Sequence, residues 1–263
     1  MSAAFAYQGL QRGSLALAML VLSGCSVLVT VPAAPASGHP SALAAYARTL
    51  ERFVNERGEV DFKALERDRS DLDVYVRYIA DTPLQSFSGH NEKLAHLINS
   101  YNALSMFNVI SSGFPESHAG LAKVRFFALR RLTIGGEPIS LYDYENHVIR
   151  PLGEPRVHFA LNCSAVSCPV LPRRPFSAGA LDAELEREAR AFFARPENYR
   201  ADHHEKVVYL NEILRFYSED FAPAHGKSLL DFANRYAPHP VPADYGVRFT
   251  PYDWTVADSG RGR

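Results

Sequence analysis

The sequence predicts an α+β fold, in which a single, mostly helical domain carries a small mixed or antiparallel sheet. Segments with helical periodicity come first along the chain, and short alternating segments that are typical of strands mix with helices after residue 130. The 263 residues are 47% hydrophobic and include 13 Tyr and 16 Phe, which is enough for a substantial core. The net charge of −1 argues against a protein that neutralises many phosphates, so no nucleic-acid partner is predicted.

The first 24 residues have the features of a secretory signal. Arg12 supplies a positive charge, and residues 15–22 form an apolar run that is too short to span a bilayer core of about 30 Å. Leu22-Ser23-Gly24-Cys25 then resembles a bacterial lipobox. We therefore expect a lipoprotein signal peptide over residues 1–24 and lipidation of Cys25. The alternative is an ordinary signal peptide with a chance cysteine.

This signal predicts a cell-envelope protein that is attached to the membrane through a lipid on Cys25. Ser26 rather than Asp follows the cysteine, which by resemblance to enterobacterial sorting favours the outer membrane, with the domain facing the periplasm. Residues 25–40 are rich in Pro, Ala and Ser and are predicted to be a tether. Residues 41–263 are predicted to form the single domain.

Capping residues, breakers and periodicity define the predicted helices and strands. Residues 91–112 form the strongest helix, whose apolar residues spread around the whole wheel, as in a buried central helix. Gly135-Gly136 predicts the turn of a hairpin over residues 131–141, and Ser140 can cap a helix to residue 150. The other predicted helices are 41–54, 62–80, 179–195, 211–218 and 228–236, and the other predicted strands are 156–161, 206–210 and 246–250.

Three polar residues stand out in apolar surroundings. Asn99 and Asn102 lie one turn apart on the central helix, where a buried amide must bind either a loop backbone or a ligand. Glu145 falls on the apolar face of its helix, and a buried carboxylate needs a partner. It could pair with Arg150, Arg131 or a histidine in a structural ion pair, or it could orient a catalytic histidine. His147 lies on the polar side of the same helix.

The segment HFALNCSAVSCPVL holds Cys163 and Cys168. A reactive thiol, a local disulfide and a metal site are the three interpretations, and an oxidising compartment favours the disulfide. No second cysteine pair with zinc-site spacing accompanies them, so no metal site is predicted. No cofactor is predicted either, since the sequence has no GxGxxG or Walker loop. If 156–161 is a strand, His158 lies roughly 16 Å from Cys163 unless the loop folds back.

Five segments together resemble the family of proteins of unknown function called DUF547: INSYNAL (98–104), ISLYDYENHVIR (139–150), HFALNCSAVSCP (158–169), VVYLNEILRFYSEDF (207–221) and YDWTVAD (252–258). Bacterial members of that family often look secreted or lipid-anchored. The resemblance supplies no catalytic assignment. It places the following residues on motif positions: Asn99, Tyr101, Asn102, Glu145, Arg150, His158, Cys163, Ser167, Asp253 and Trp254.

Two functional hypotheses follow. In the first, the domain is a thiol-dependent hydrolase or acyl transferase that acts on peptides, peptidoglycan stems or envelope lipoproteins. Its nucleophile is Cys163, its base is His158 or His147, Glu145 orients the base, and an oxyanion is bound by Asn99, Asn102 or Asn162.

In the second hypothesis, a Cys163–Cys168 disulfide closes a rigid loop in a non-catalytic module that binds an envelope protein or a glycan. Asp253 then bonds the cysteine loop, and Trp254 packs in the core. Ser167 is a weak candidate nucleophile because no GxSxG elbow surrounds it. The sequence leaves both hypotheses open.

Overall fold

The computed structural model describes residues 26–222 and 228–261. The predicted signal peptide and the predicted lipidation position Cys25 lie outside these described residues. Within them, helices predominate and two small three-stranded sheets each combine parallel and antiparallel pairs. This confirms the α+β class. No helix in the described ranges combines the length and hydropathy needed to cross a bilayer.

The helices are α1 His39–Phe53, α2 Phe62–Arg67, α3 Ser70–Asp81, α4 His90–Ser111, α5 Leu121–Val124, α6 Leu141–Asp143, α7 Leu181–Phe193, α8 Ile213–Phe216, α9 Ser218–Phe221 and α10 Leu229–Tyr236. The strands are β1 Val27–Leu28, β2 Arg130–Ile134, β3 Glu137–Ile139, β4 Tyr199–Asp202, β5 Val207–Asn211 and β6 Gly246–Thr250. Most predicted elements are therefore confirmed, while β1, β4 and α5 had no predicted counterpart.

Helix α4 is the centre of the larger hydrophobic core. Every residue from 94 to 110 is buried, as the apolar wheel predicted. The helix predicted over 62–80 is wrong in one respect, because it is split into α2 and α3. Asp68 ends α2, where it leaves helical geometry and forms an ion pair with Arg52. Asp71 and Asp73 lie in the first turn of α3, where their negative charges are favourable at a helix N-terminus.

Both sheets have a parallel and an antiparallel edge. In the first sheet, β2 and β3 form the predicted hairpin, with positive φ at Gly135 and Gly136, and β1 runs parallel to β2. Val27 pairs with Arg130, so the segment predicted as a tether contacts the domain at its start. In the second sheet, β5 lies between antiparallel β4 and parallel β6.

The strand predicted over 156–161 is wrong, because residues Pro155–Phe159 form a 3₁₀ helix. Pro155 occupies its first turn, and the Glu154 carboxylate accepts from the Arg156 backbone N–H at 3.0 Å. Alternating hydrophobicity arises here because the segment lies between two cores. Val157 packs in the core around α4, and Phe159 packs in a second core with α7, β5 and α10.

Helix α6 continues as a π-helical turn, Tyr144–Ile149, and then as a 3₁₀ turn, Arg150–Leu152. Ser140 caps α6 as predicted, with its hydroxyl accepting from the Asp143 backbone N–H at 3.0 Å. A second π-helical turn, Arg125–Leu129, connects α5 to β2. Both irregular turns contribute residues to the wall of one cavity, which is consistent with the frequent occurrence of π-turns at functional sites.

Candidate functional site

A cavity of about 590 Å³ opens beside the cysteine loop. Aromatic and aliphatic side chains make up most of its wall, with a few polar groups among them, as is typical of small-molecule sites. Its lining residues are Tyr101, Lys123, Val124, Phe127, Ala128, Tyr142, Glu145, Asn146, Arg150, His158, Leu161, Cys163, Cys168, Pro169, Ile213, Phe216, Tyr217, Tyr252 and Trp254.

A tight turn brings the two cysteines together. The Asn162 side chain donates to the Pro169 carbonyl at 2.7 Å and accepts from the Ser164 backbone N–H at 2.7 Å. Ser164 has a positive φ of 64°, which reverses the chain. The Cys163 and Cys168 sulfurs consequently lie 2.7 Å apart, and both are buried. Both are free thiols here, so the predicted disulfide is not formed in this structure.

The hydrogen bonds of the two sulfurs are unequal. Cys168 Sγ accepts from the Cys163 backbone N–H at 3.1 Å and from the Tyr252 hydroxyl at 3.2 Å. Burial acts to raise the pKa of Cys168, but the hydrogen bonds from the Cys163 thiol, Tyr252 and nearby backbone outweigh it and lower that pKa. The hydrogen bond to Cys168, together with burial, raises the pKa of Cys163. These unequal hydrogen bonds favour the thiolate on Cys168 over the thiolate on Cys163.

Lys123 brings a positive charge to the same region. Its Nζ lies 3.8 Å from the centroid of the Trp254 ring and 5.3 Å from that of Phe216. Partial burial lowers the pKa of Lys123, and the fields of Cys163 and Glu212 oppose that effect. An ammonium group at this wall favours an anionic sulfur, because an opposite charge stabilises the charged form.

Glu145 lines the cavity and is only 6% exposed. The Tyr101 hydroxyl donates to its carboxylate at 2.8 Å, and the Tyr217 side chain hydrogen-bonds to it as well. Its partners are thus tyrosines, whereas Arg131 pairs with Asp143. The buried carboxylate that the sequence indicated is satisfied by hydroxyl groups.

His158 also lines the cavity, but its Nε2 contacts Asp220 Oδ2 at 2.7 Å. Arg150 binds the same carboxylate through two hydrogen bonds, at 2.7 and 2.9 Å. The imidazole stacks on Tyr217, with ring centroids 4.0 Å apart. Burial acts to raise the pKa of Asp220, but hydrogen bonds from His158 and Arg150 outweigh it and hold that pKa well below its usual range. Within the described residues, neither sulfur forms a hydrogen bond with His158.

Asn99 and Asn102 both clamp loop backbone. The Asn99 side chain donates to the Phe176 carbonyl at 2.8 Å and accepts from its N–H at 2.9 Å. The Asn102 side chain donates to the Ala160 carbonyl at 2.9 Å and accepts from the Asn162 N–H at 2.7 Å. Asn102 therefore holds the start of the cysteine loop, and Asn99 holds a different loop.

The remaining predicted residues lie at the edge of the site. The His147 side chain is 69% exposed, with its Nδ1 3.6 Å from Asp143. Ser167 Oγ accepts from the Asp253 backbone N–H at 2.9 Å, which joins the cysteine loop to the C-terminal segment. Trp254 is half-buried in the cavity wall, where it packs against the small hydrophobic cluster of Cys163, Ala165 and Cys168.

Sequence reasoning missed four residues that shape the site: Lys123, Tyr217, Asp220 and Tyr252. Tyr252 directly precedes Asp253 and Trp254, and Tyr217 and Asp220 lie in the segment VVYLNEILRFYSEDF, so the motifs contained a signal for three of them. Lys123 lies outside every motif. Across residues 26–222 and 228–261, no group of three or more His, Cys, Asp or Glu side chains is arranged to hold a metal ion.

The fold and site define an α+β domain that presents a buried pair of free thiols to an aromatic cavity. Residues 84–193 match a family model described as "Protein of unknown function, DUF547". The match contains α4, the irregular turn after α6 and the cysteine loop, and it confirms the family resemblance over these residues. Two of the five resembling segments, 207–221 and 252–258, lie beyond the matched range. Comparisons with curated proteins and with solved structures gave no match.

Proposed function

We propose that the protein is a lipid-anchored envelope protein whose domain acts as a thiol-dependent hydrolase or acyl transferase. The observation that carries this proposal is the set of donors around Cys168 Sγ, which favours a thiolate inside a substrate-sized cavity. A preformed thiolate is the nucleophile that such chemistry requires.

The first step is attack by the Cys168 thiolate on the carbonyl carbon of an ester, thioester or amide. A C–S bond forms, and the tetrahedral intermediate then expels its leaving group, which takes a proton from the Cys163 thiol. Water or a second acceptor then attacks the thioester carbonyl and gives its proton to the Cys163 sulfur, and the C–S bond breaks to release the acyl product and restore the Cys168 thiolate. The sequence favoured Cys163 as the nucleophile, whereas the hydrogen bonds favour Cys168. The lowered pKa of Cys168 reduces the need for a histidine base in this proposal.

The cavity favours an acyl group with an apolar or aromatic body. Four of the exposed large hydrophobic residues lie at its mouth or on the adjoining α5: Leu121, Val124, Tyr142 and Phe216. Lys123 adds one positive charge at the wall. Peptides, peptidoglycan stems and envelope lipoproteins remain the proposed substrate classes, with preference for a lipoprotein or another acylated substrate.

The proposed lipid anchor is compatible with a substrate that lies in or near the membrane. Cys25 lies two residues before β1 in the sequence, and β1 pairs in parallel with β2, which begins two residues after the cavity-lining Ala128. The described chain therefore begins beside a strand that leads from the cavity wall, and the proposed lipid attaches just before that start. Mass spectrometry of detergent-extracted mature chain tests the anchor, since an unmodified N-terminus would contradict it.

The catalytic proposal is tested by incubating the reduced protein with two series of substrates, p-nitrophenyl esters and thioesters. In each series the acyl chain runs from acetyl to octanoyl, and hydrolysis is measured. Cys168→Ala is expected to abolish turnover, and Cys163→Ala is expected to reduce it. Ser167→Ala is the matched control. It removes a hydroxyl group from the same loop that hydrogen-bonds to Asp253 and to neither sulfur. Equal hydrolysis by the wild type and Cys168→Ala would exclude Cys168 as the nucleophile.

Thiol–disulfide exchange is a second candidate, favoured by the 2.7 Å approach of the sulfurs. Cys168 would attack a substrate disulfide, and Cys163 would then attack Cys168 Sγ. The products are a reduced substrate dithiol and a Cys163–Cys168 disulfide. Both cysteines are then essential, and one disulfide is consumed per protein unless a reductant is supplied. Failure of both assays would favour the non-catalytic protein- or glycan-binding module.

A further inference from the structure

A second, smaller cavity of about 110 Å³ lies beside the end of α4. It shares no lining residue with the large cavity, so it is a distinct site. His118, Arg125 and Arg130 contribute its polar wall, and Phe126 contributes an aromatic one. Since a water molecule takes about 30 Å³ in the liquid, the space suits a few waters or one small oxyanion.

The charge around this cavity is one-sided. Arg130 is only 5% exposed and donates to the neutral Asn108 and Ser111 side chains at 2.5 and 2.8 Å. Burial lowers the pKa of Arg130, and the neighbouring charge of Arg125 lowers it further. Among the described residues, no carboxylate lies within ion-pair distance of either guanidinium. A buried cation without a counter-ion is costly, so this pair of arginines favours an anion.

His118 forms the buried back of this cavity. Its side chain is fully buried, and neither ring nitrogen has a hydrogen-bond partner among the residues that the structure describes. The ring stacks on Phe126 with centroids 3.9 Å apart. Burial lowers the pKa of His118 to about 4, although the nearby Cys163 backbone acts to raise it. The imidazole is therefore neutral at pH 7, and because it is fully buried it adds neither charge nor a reachable donor to the cavity.

We propose that this cavity is a binding site for a small tetrahedral oxyanion, such as inorganic phosphate, held by Arg125 and Arg130. Guanidinium groups suit such an anion because their planar donors match two oxygens at once. The site also has a connection to the thiols: the His118 backbone N–H donates to the Trp254 carbonyl at 2.9 Å. An anion bound here thus lies behind a wall of the large cavity.

Isothermal titration of the full chain with inorganic phosphate, in a phosphate-free buffer of constant ionic strength, tests the proposal. We expect one site per chain and a Tm that rises with phosphate concentration. Arg125→Gln removes an exposed arginine that the fold does not require, and should weaken binding roughly fivefold or more.

Arg235→Gln is the matched control, because Arg235 is exposed, makes no ion pair within the described chain and lies outside the cavity. Glycerol phosphate is titrated in parallel to distinguish a free anion from the phosphate of a larger ligand. No saturable binding of phosphate, equal binding by wild type and Arg125→Gln, or an equal loss in Arg235→Gln would overturn the proposal. Binding of glycerol phosphate without inorganic phosphate would also overturn it.

Discussion

The Tyr252 hydroxyl donates to Cys168 Sγ at 3.2 Å and lies 3.8 Å from Cys163 Sγ, so one phenol contacts both sulfurs. Tyr252 follows β6 in the chain, whereas the cysteines lie in the loop before α7. Their contact joins the C-terminal segment to the cysteine loop. It also supplies one of the hydrogen bonds that lower the pKa of Cys168.

Tyr252→Phe is expected to slow the alkylation of Cys168 by iodoacetamide. Removing the donor destabilises the thiolate, so the pKa of Cys168 rises and the midpoint of the rate profile moves to higher pH. A hydrogen bond to a charged group contributes about 1.5 kcal/mol or more, which corresponds to a rate roughly tenfold lower below that midpoint. Tyr142→Phe is the control, since Tyr142 lines the same cavity without contacting either sulfur. An unshifted pH profile would show that the hydroxyl does not stabilise the thiolate.

The two thiols are expected to differ in alkylation. In reduced protein, Cys168 should react first at neutral pH, because its pKa is lowered whereas the pKa of Cys163 is raised. Cys163→Ala should leave Cys168 reactive but slower, since the thiol donor is lost and the Cys163 N–H remains. Cys168→Ala should remove the fast phase. Peptide masses over a time course measure this order, and faster labelling of Cys163 would reverse the assignment.

Local sequence patterns correctly predicted the helices and strands whose stabilising contacts are made by residues close in sequence. The limits of α4 and the hairpin of β2 and β3 follow from periodicity and from Gly135-Gly136. The alternation in 156–161 failed, because two separate cores can bury alternate side chains of a 3₁₀ helix as well as one sheet can. Pro155 before this segment was the local signal for a helical start.

The candidate site was predicted in its composition more than in its contacts. Glu145, His158 and both cysteines do line one cavity. The partner of His158, however, is Asp220, which is 62 residues away and belongs to α9. Tertiary packing selects such pairs, and no periodicity in one sequence records them. The same holds for the unequal hydrogen bonds of the cysteines, which depend on Tyr252.

Asp220→Asn is expected to lower stability at neutral pH by about 2 kcal/mol, because charged hydrogen bonds from Arg150 and His158 are lost. The folded-state pKa of Asp220 is depressed, so its contribution is present above the unfolded-state pKa of about 3.9. It is lost as pH falls from that value through the folded pKa. The difference in unfolding free energy between wild type and Asp220→Asn should therefore shrink on acidification.

Urea denaturation at a series of pH values measures this difference. Asp244→Asn is the control, since Asp244 pairs with Lys206 through side chains that are 60% and 65% exposed. We expect Asp244→Asn to change the free energy of unfolding by a small amount that is nearly the same at every pH. If the Asp220→Asn difference stayed the same from pH 7 to pH 3, the ionised carboxylate would not be what stabilises the fold.

Asn102→Ala and Asn99→Ala offer a matched comparison between positioning and stability. Both side chains are 2% exposed on α4, and each makes two hydrogen bonds to loop backbone. Each substitution should cost roughly 2–4 kcal/mol, because two buried backbone groups lose their partners. Only Asn102 holds Ala160 and Asn162, which lead into the cysteine loop. We therefore expect Asn102→Ala alone to slow Cys168 alkylation under conditions where both variants remain folded by circular dichroism. Equal alkylation rates for the two variants would mean that the Asn102 clamp contributes stability without positioning the thiols.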